Sequence, residues 1–197
     1  MNYDNVNLIL ASQSPRRRQL LEQAGFRFRV LAPPDHVERA ASAQATPGEQ
    51  VMESAFLKAE FVARSVEKGI VLAADTVAIC QDYVLGKPTS REDAARMLRL
   101  LSGQRHQVLT GICLWHRPSD RHHTYLESTS LVMDELDEKK LQEFLDSNGW
   151  RGKAGGFGYQ DGLDWVHVRS GLESNVVGLP AERLDAWIQA LLSEVNG

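Results

Sequence analysis

The sequence predicts an α/β fold with a mixed, twisted sheet and flanking helices, and three observations carry that prediction. Predominantly apolar runs, VNLILA (6–11) and GIVLAADTVAIC (69–80), read as buried strands. Segments of 3.6-residue periodicity with their own capping residues alternate with those runs. The alternation is broken by two long strand-like stretches, 106–116 and 122–133, around the turn signal RPSD, which brings hairpin pairing into an otherwise wound sheet.

Each element has a local reason. After the first strand, Ser14 is placed to cap a helix with Pro15 in its first position, Leu20, Leu21 and Ala24 on one side and Gly25 at its end. FRFRVLA (26–32) alternates apolar and basic residues, as a half-exposed strand does. Proline-, histidine- and alanine-rich loop sequence follows to residue 46. Thr46 then stands three residues before Glu49 in a capping box with Pro47 in the first turn, and Met52, Ala55, Ala59, Val62 and Val66 form that helix's apolar stripe. The second buried strand leads into QDYVLG, a turn and a returning strand. Ser90 caps a helix that runs to Leu101 and stops at Ser102 and Gly103; Asp137 caps another to about Ser147, ahead of the glycine-rich GKAGGFG. The tail after Pro180 closes as a helix with Leu184, Trp187, Ile188 and Leu191 inward. With no repeat, low-complexity tract or long linker, residues 1–197 read as a single domain.

Composition narrows the function classes. A chain of 197 residues with 43% hydrophobic content can bury one core, or two small lobes sharing one. No run approaches the ~20 apolar residues of a membrane span, and MNYDNVNLIL has neither a basic leader nor a cleavage site, so a cytoplasmic protein is expected. Cys80 and Cys113 both sit inside apolar runs and read as buried thiols. The net charge of −4 counts against general nucleic-acid binding. That charge is uneven: Arg16 to Arg29 holds five arginines and one acid, Glu22, whereas Asp134 to Asp146 holds six acids and two lysines. A local basic island in an acidic chain suggests a small anionic ligand.

The island begins at SQSPRRR (12–18), three arginines directly after a helix-starting proline. Cations in a first helical turn cost about 0.3–1 kcal/mol each, so they call for compensation. Strand end, Ser12, Ser14 and helix start together form an anion site, which a phosphate chain would fill. The competing reading is solvated surface arginines; helix geometry lets at most two of the three face one ligand. The glycines and lysine-serine pair of a Walker loop are absent.

Asp75 is the second signal. A carboxylate within VLAADTVAIC is costly without a cation, a metal or several donors, and it reads either as a catalytic group or as a structural acid pairing with a buried arginine or capping a bulge. Thr76 follows on the opposite strand face. Lysines are the third. Lys58 borders the apolar side of its helix, about 20° from Val51, where snorkelling to solvent and contact with a ligand are both open. Lys87 in LGKP stands between a flexible glycine and a stiff proline at a strand's end. Lys153 precedes glycines that allow close backbone approach to a ligand, or serve only a turn. The six histidines show no metal spacing; His122 and His123 are adjacent on a strand and face opposite ways. There is no GxSxG elbow and no cysteine in a polar setting, against covalent catalysis.

LILASQSPRRRQLL, AADTVA, LGKP followed by a helix ending in LSGQ, GKAGGFGYQ and SNVVGLP occur in the order seen in the Maf family of nucleoside triphosphate pyrophosphatases. The sequence resembles that family from about Leu8 to its end. The resemblance implies a fold related to the inosine triphosphate pyrophosphatases, with two lobes around a cleft, and metal-dependent hydrolysis between the α and β phosphates, commonly by a homodimer. It is similar to the branch that prefers dTTP and UTP, modified pyrimidine nucleotides being a further option, and it makes Arg16, Thr76 and Gln160 specificity residues. Asp75 would be the catalytic carboxylate, with Glu38 in PPDHVER the other acidic position. On that reading Asp75 and Glu38 hold Mg²⁺ or Mn²⁺, Asp75 orients or deprotonates the attacking water, and Arg17, Lys58 and Lys87 neutralise the polyphosphate. Gln160 offers a donor and an acceptor to a pyrimidine edge. The chain departs from the family pattern at Asp161, where glycine is usual. A nucleotide-binding regulator without turnover, and a phosphomonoesterase releasing inorganic phosphate, remain open on the residues alone.

Overall fold

A computed structural model describes residues 7–34, 36–37 and 45–196. The strands β1 (Leu8–Leu10), β2 (Phe28–Val30), β3 (Gly69–Cys80), β4 (Tyr83–Leu85), β5 (Arg105–Arg117), β6 (His122–Met133) and β7 (Val166–Ser170) form one seven-stranded sheet in the order β2-β1-β3-β5-β6-β7, with β4 paired to β3. The sheet is mixed, as expected: β1 runs parallel to β2 and β3, while β3–β4 and β6–β7 are antiparallel. The helices are α1 (Pro15–Gln23), α2 (Pro47–Ala63), α3 (Arg91–Leu101), α4 (Glu138–Asp146), α5 (Glu173–Val177) and α6 (Ala181–Asn196). None is long and apolar enough to cross a membrane. The caps expected at Ser14, Thr46, Ser90 and Asp137 all form, and Thr46 and Glu49 close a full capping box.

By contacts the chain divides into two compact units, and the division falls within β3, between Asp75 and Thr76. The first comprises residues up to Asp75, Thr110–Glu127 and Gly178–Gly197. β1 and residues 69–74 of β3 are apolar because both of their faces are covered. Leu8, Leu10, Ile70, Leu72 and Ala74 point to one face, where Leu21 of α1 and Leu184, Ile188 and Leu191 of α6 pack on them. Ile9, Ala11, Val71 and Ala73 point to the other, under Ala55, Ala59, Val62 and Ala63 of α2. Gly111 of β5 permits that close seating, since a Cβ there would run into the backbone of Val51 on α2. Trp187 is only partly buried and stacks on Tyr125, with ring centroids 4.3 Å apart. His122 and His123 diverge as adjacent strand residues must: His122 stacks on Trp115, and His123 meets Tyr125 and Glu194.

The second unit, Thr76–Leu109 with Ser128–Val177, has its own core around Leu98, Leu101, Leu131, Leu145, Trp150, Phe157 and Trp165. It contains β7 and α5, for which the sequence gives little signal, each being only five residues long and too short for periodicity to register firmly. Tertiary hydrogen bonds hold this segment instead. Asn175 on α5 donates to the Val108 carbonyl and to Thr129 Oγ1, each at 3.1 Å, and Thr129 Oγ1 in turn donates to the Leu172 carbonyl at 2.9 Å. Both cysteines are buried free thiols, and burial pushes the Cys113 thiol up to about 12.

His106 lies 3% exposed against Phe157, and burial pushes its pKa down to about 4 despite the nearby Gln104 carbonyl. Between pH 6.5 and about 4 the unfolded chain therefore binds a proton at this residue that the folded chain does not. Stability rises with pH across that window and falls, by about 3 kcal/mol in all, as the pH drops through it. A His106→Gln variant is expected to lose less of its thermal midpoint than the parent chain between pH 7 and 4.5, measured by circular dichroism.

Candidate functional site

In the first unit, the end of β1 and the start of α1 form a braced corner. The Ser14 side chain caps the helix by accepting the Arg17 N–H. Ser12, 7% exposed, accepts from the Ser14 N–H and from Arg17 Nη1, both at 3.2 Å. Arg17 Nε donates to the Gly178 carbonyl at 2.8 Å, which ties the first motif to SNVVGLP, 161 residues along the chain. Nothing local in the sequence signals that contact. The Ser12 hydroxyl and the Arg17 guanidinium are thus engaged with each other, and the Ser14 hydroxyl with the Arg17 backbone, rather than all turned outward. Arg16 and Arg17 are half-buried, whereas Arg18 is exposed and bonds Glu22 one turn on, at 3.1 Å. The first turn of α1 contains no acid, so the helix itself supplies no counter-charge to its arginines.

Asp75 and Lys58 meet in the same unit. The period of β3 puts Asp75 on the face of Val71 and Ala73, beneath α2, and its side chain is 26% exposed. Lys58 does not snorkel. It is 2% exposed among Ala55, Ala59 and Val62, and its ammonium donates to Asp75 Oδ1 at 2.8 Å and approaches the Ala74 carbonyl at 3.4 Å. A buried ammonium needs such a partner, and here one carboxylate oxygen supplies it while the other stays available. Among the described residues the partner of Asp75 is thus a lysine on α2 rather than the buried arginine expected of a structural acid. Glu38 lies outside the described residues. Among the described residues no cluster of three or more metal-ligating side chains occurs.

The second unit brings LGKP and the glycine-rich motif together. The Gly155 N–H donates to the Gly86 carbonyl at 3.0 Å, so the residue before Lys87 is fastened to GKAGGFG. Gly155 and Gly156 adopt φ of 68° and 76°, a left-handed conformation that a side chain would strain. Short 3₁₀ turns over Ala154–Gly156 and Tyr159–Asp161 shape the loop. Phe157 anchors it in the core, and the Tyr159 hydroxyl donates to Glu173 at 2.9 Å. Thr76 is half-buried, and Lys87 and Gln160 are exposed. Asp161 forms an ion pair with Lys153.

The model for the Maf-like protein family matches residues 7–191. A dTTP/UTP pyrophosphatase of Rhodopirellula baltica is 50% identical over 179 residues, covering 90% of this chain and 79% of that protein. Another dTTP/UTP pyrophosphatase, from Ruminiclostridium cellulolyticum, is 38% identical over 190 residues, 96% of this chain and 98% of that one. A solved nucleoside-triphosphatase / dITP/XTP pyrophosphatase structure from Mycobacterium abscessus aligns with 97% of this chain and 98% of its own at 12% identity, with a TM-score of 0.44.

Proposed function

Because the chain belongs to the Maf-like protein family, we propose that it is a nucleoside triphosphate pyrophosphatase that hydrolyses dTTP and UTP to the monophosphate and pyrophosphate. The observation that carries the chemistry is the Lys58–Asp75 pair: an acid fixed through Oδ1 by a buried ammonium, its second oxygen uncommitted and partly open to water. In this reading Oδ2 of Asp75 orients the attacking water and takes its proton, while Lys58 keeps the carboxylate from turning. Ser12, Ser14 and the Arg17 side chain receive phosphate oxygens. The Ser12 hydroxyl already accepts two hydrogen bonds, which leaves its own proton to donate. Lys87 adds positive charge for the departing pyrophosphate. Arg16, Thr76 and Gln160 select the pyrimidine, Gln160 by pairing its amide with the base edge.

The donor set fits a divalent ion held mainly through substrate. Such ions take hard oxygens and often need only one or two carboxylates beside phosphate oxygens and water. Asp75 presents one uncommitted carboxylate oxygen in this structure, and Glu38 is proposed as the second ligand. Mg²⁺ or Mn²⁺ bound there would offset polyphosphate charge and polarise the phosphoryl group. The homodimer that the resemblance implies is part of the same reading and has the resemblance as its support.

A nucleotide panel tests this function. With a divalent metal present, UTP and dTTP are expected to yield pyrophosphate faster than CTP or any purine triphosphate. Binding without turnover, inorganic phosphate as the product, or turnover of purines alone would each contradict it.

A further inference from the structure

We propose that the Lys153–Asp161 ion pair is a clasp that holds Gln160 in register for base recognition, making both residues positioning residues for substrate choice. The proposal rests on the reading of Gln160 given above. The pair joins the residue that opens the Ala154–Gly156 turn to the last residue of the Tyr159–Asp161 turn, and so closes the whole glycine-rich loop. Its side chains are 13% and 33% exposed, more enclosed than the chain's helical-surface pairs such as Arg18–Glu22, at 63% and 56%. Enclosure of this kind reduces screening by water and favours a defined geometry over a fluctuating one.

The pair lies directly over Gly158. A Cβ at that position would stand 2.6 Å from Asp161 Oδ2 and 2.8 Å from Lys153 Nζ, so any larger residue there would push the paired side chains from their places. Elsewhere the loop is fixed at Gly155 by Gly86, at Phe157 by the core and at Tyr159 by Glu173. Gln160 is exposed, and its side chain has no hydrogen-bond partner among the described residues. It is therefore an uncommitted amide between two fastened neighbours, Tyr159 and Asp161. An amide can bond to uracil with its acceptor and donor in one order and to cytosine with them reversed. It discriminates only if its backbone is held at a fixed distance and angle from the base, which the clasp provides.

The test is kcat/KM for UTP and for CTP in four variants of the full chain, with thermal melts alongside. Asp161→Asn removes the charge, Gly158→Ala displaces the pair sterically without altering either partner, Lys153→Asp/Asp161→Lys reverses it, and Gln160→Ala removes the amide. Asp161→Asn and Gly158→Ala are each expected to lower the UTP/CTP ratio about tenfold, mainly through KM for UTP, and the reversed pair to restore most of it. A collapsed ratio in Gln160→Ala with full discrimination in Asp161→Asn and Gly158→Ala would overturn the clasp alone. Unchanged discrimination in Gln160→Ala would overturn the reading of Gln160, and the clasp with it. Equal loss with UTP and CTP, or no recovery in the reversed pair, would reduce the pair to a structural contact and overturn its role in selection.

Discussion

Asp75→Asn will release pyrophosphate from UTP about a thousand-fold more slowly than the parent chain, at matched concentrations of folded protein and with the metal present. Asparagine keeps the shape of the side chain and an oxygen that can accept from Lys58, but it cannot take a proton from water. The loss should fall mainly on kcat, with KM for UTP little changed at saturating metal, because Asp75 touches substrate only through the water and the metal while other residues make the phosphate and base contacts. Stability is expected to fall as well. The Lys58 ammonium is 2% exposed and would lose the charge of Asp75, a change that costs up to about 3–5 kcal/mol when a buried pair is broken outright. The Asn oxygen retains part of that interaction. Circular dichroism and a thermal melt separate the two effects: a variant that is folded at the assay temperature yet slow places the defect in the chemical step.

The second large effect is expected at the other end of the same bond. Lys58→Met keeps the aliphatic volume between Ala55 and Ala59 and removes the ammonium that donates to Asp75 Oδ1. Because Asp75 is 26% exposed, water can hydrate the abandoned carboxylate, so the variant should fold with a smaller loss than Asp75→Asn causes. Activity should drop about a hundred-fold, since the acid is then free to turn and no longer held for the attacking water. The double variant Lys58→Met/Asp75→Asn supplies the internal check. Replacing both partners leaves no buried unpaired charge, so it is expected to melt higher than Asp75→Asn while remaining as inactive. A double variant that melts below both single ones would show that the bond is not the main interaction of either side chain.

The sheet and most helices are legible in the sequence because their physics is local. β1 and the first half of β3 are apolar because both faces are covered, and four helices announce themselves through Ser14, Thr46, Ser90 and Asp137. The segment 166–177 is not legible, since Asn175 and Thr129 fix it through contacts 43 to 67 residues apart. The candidate site divides in the same way. Asp75 stands out as a charge in an apolar run and Lys58 as a charge beside an apolar stripe. That they meet is a tertiary fact: the period of β3 says which face Asp75 takes, but not that α2 rather than α1 or α6 covers it. The grip of Gly178 on Arg17 and of Lys153 on Asp161 likewise depends on where the chain returns.

The products formed from UTP by the parent chain and by Asp75→Asn, assayed side by side with a divalent metal, test the account most directly. The parent is expected to give UMP and pyrophosphate in equal amounts, and the folded variant almost none. Inorganic phosphate from the parent, or pyrophosphate from the folded variant at the parental rate, would contradict it.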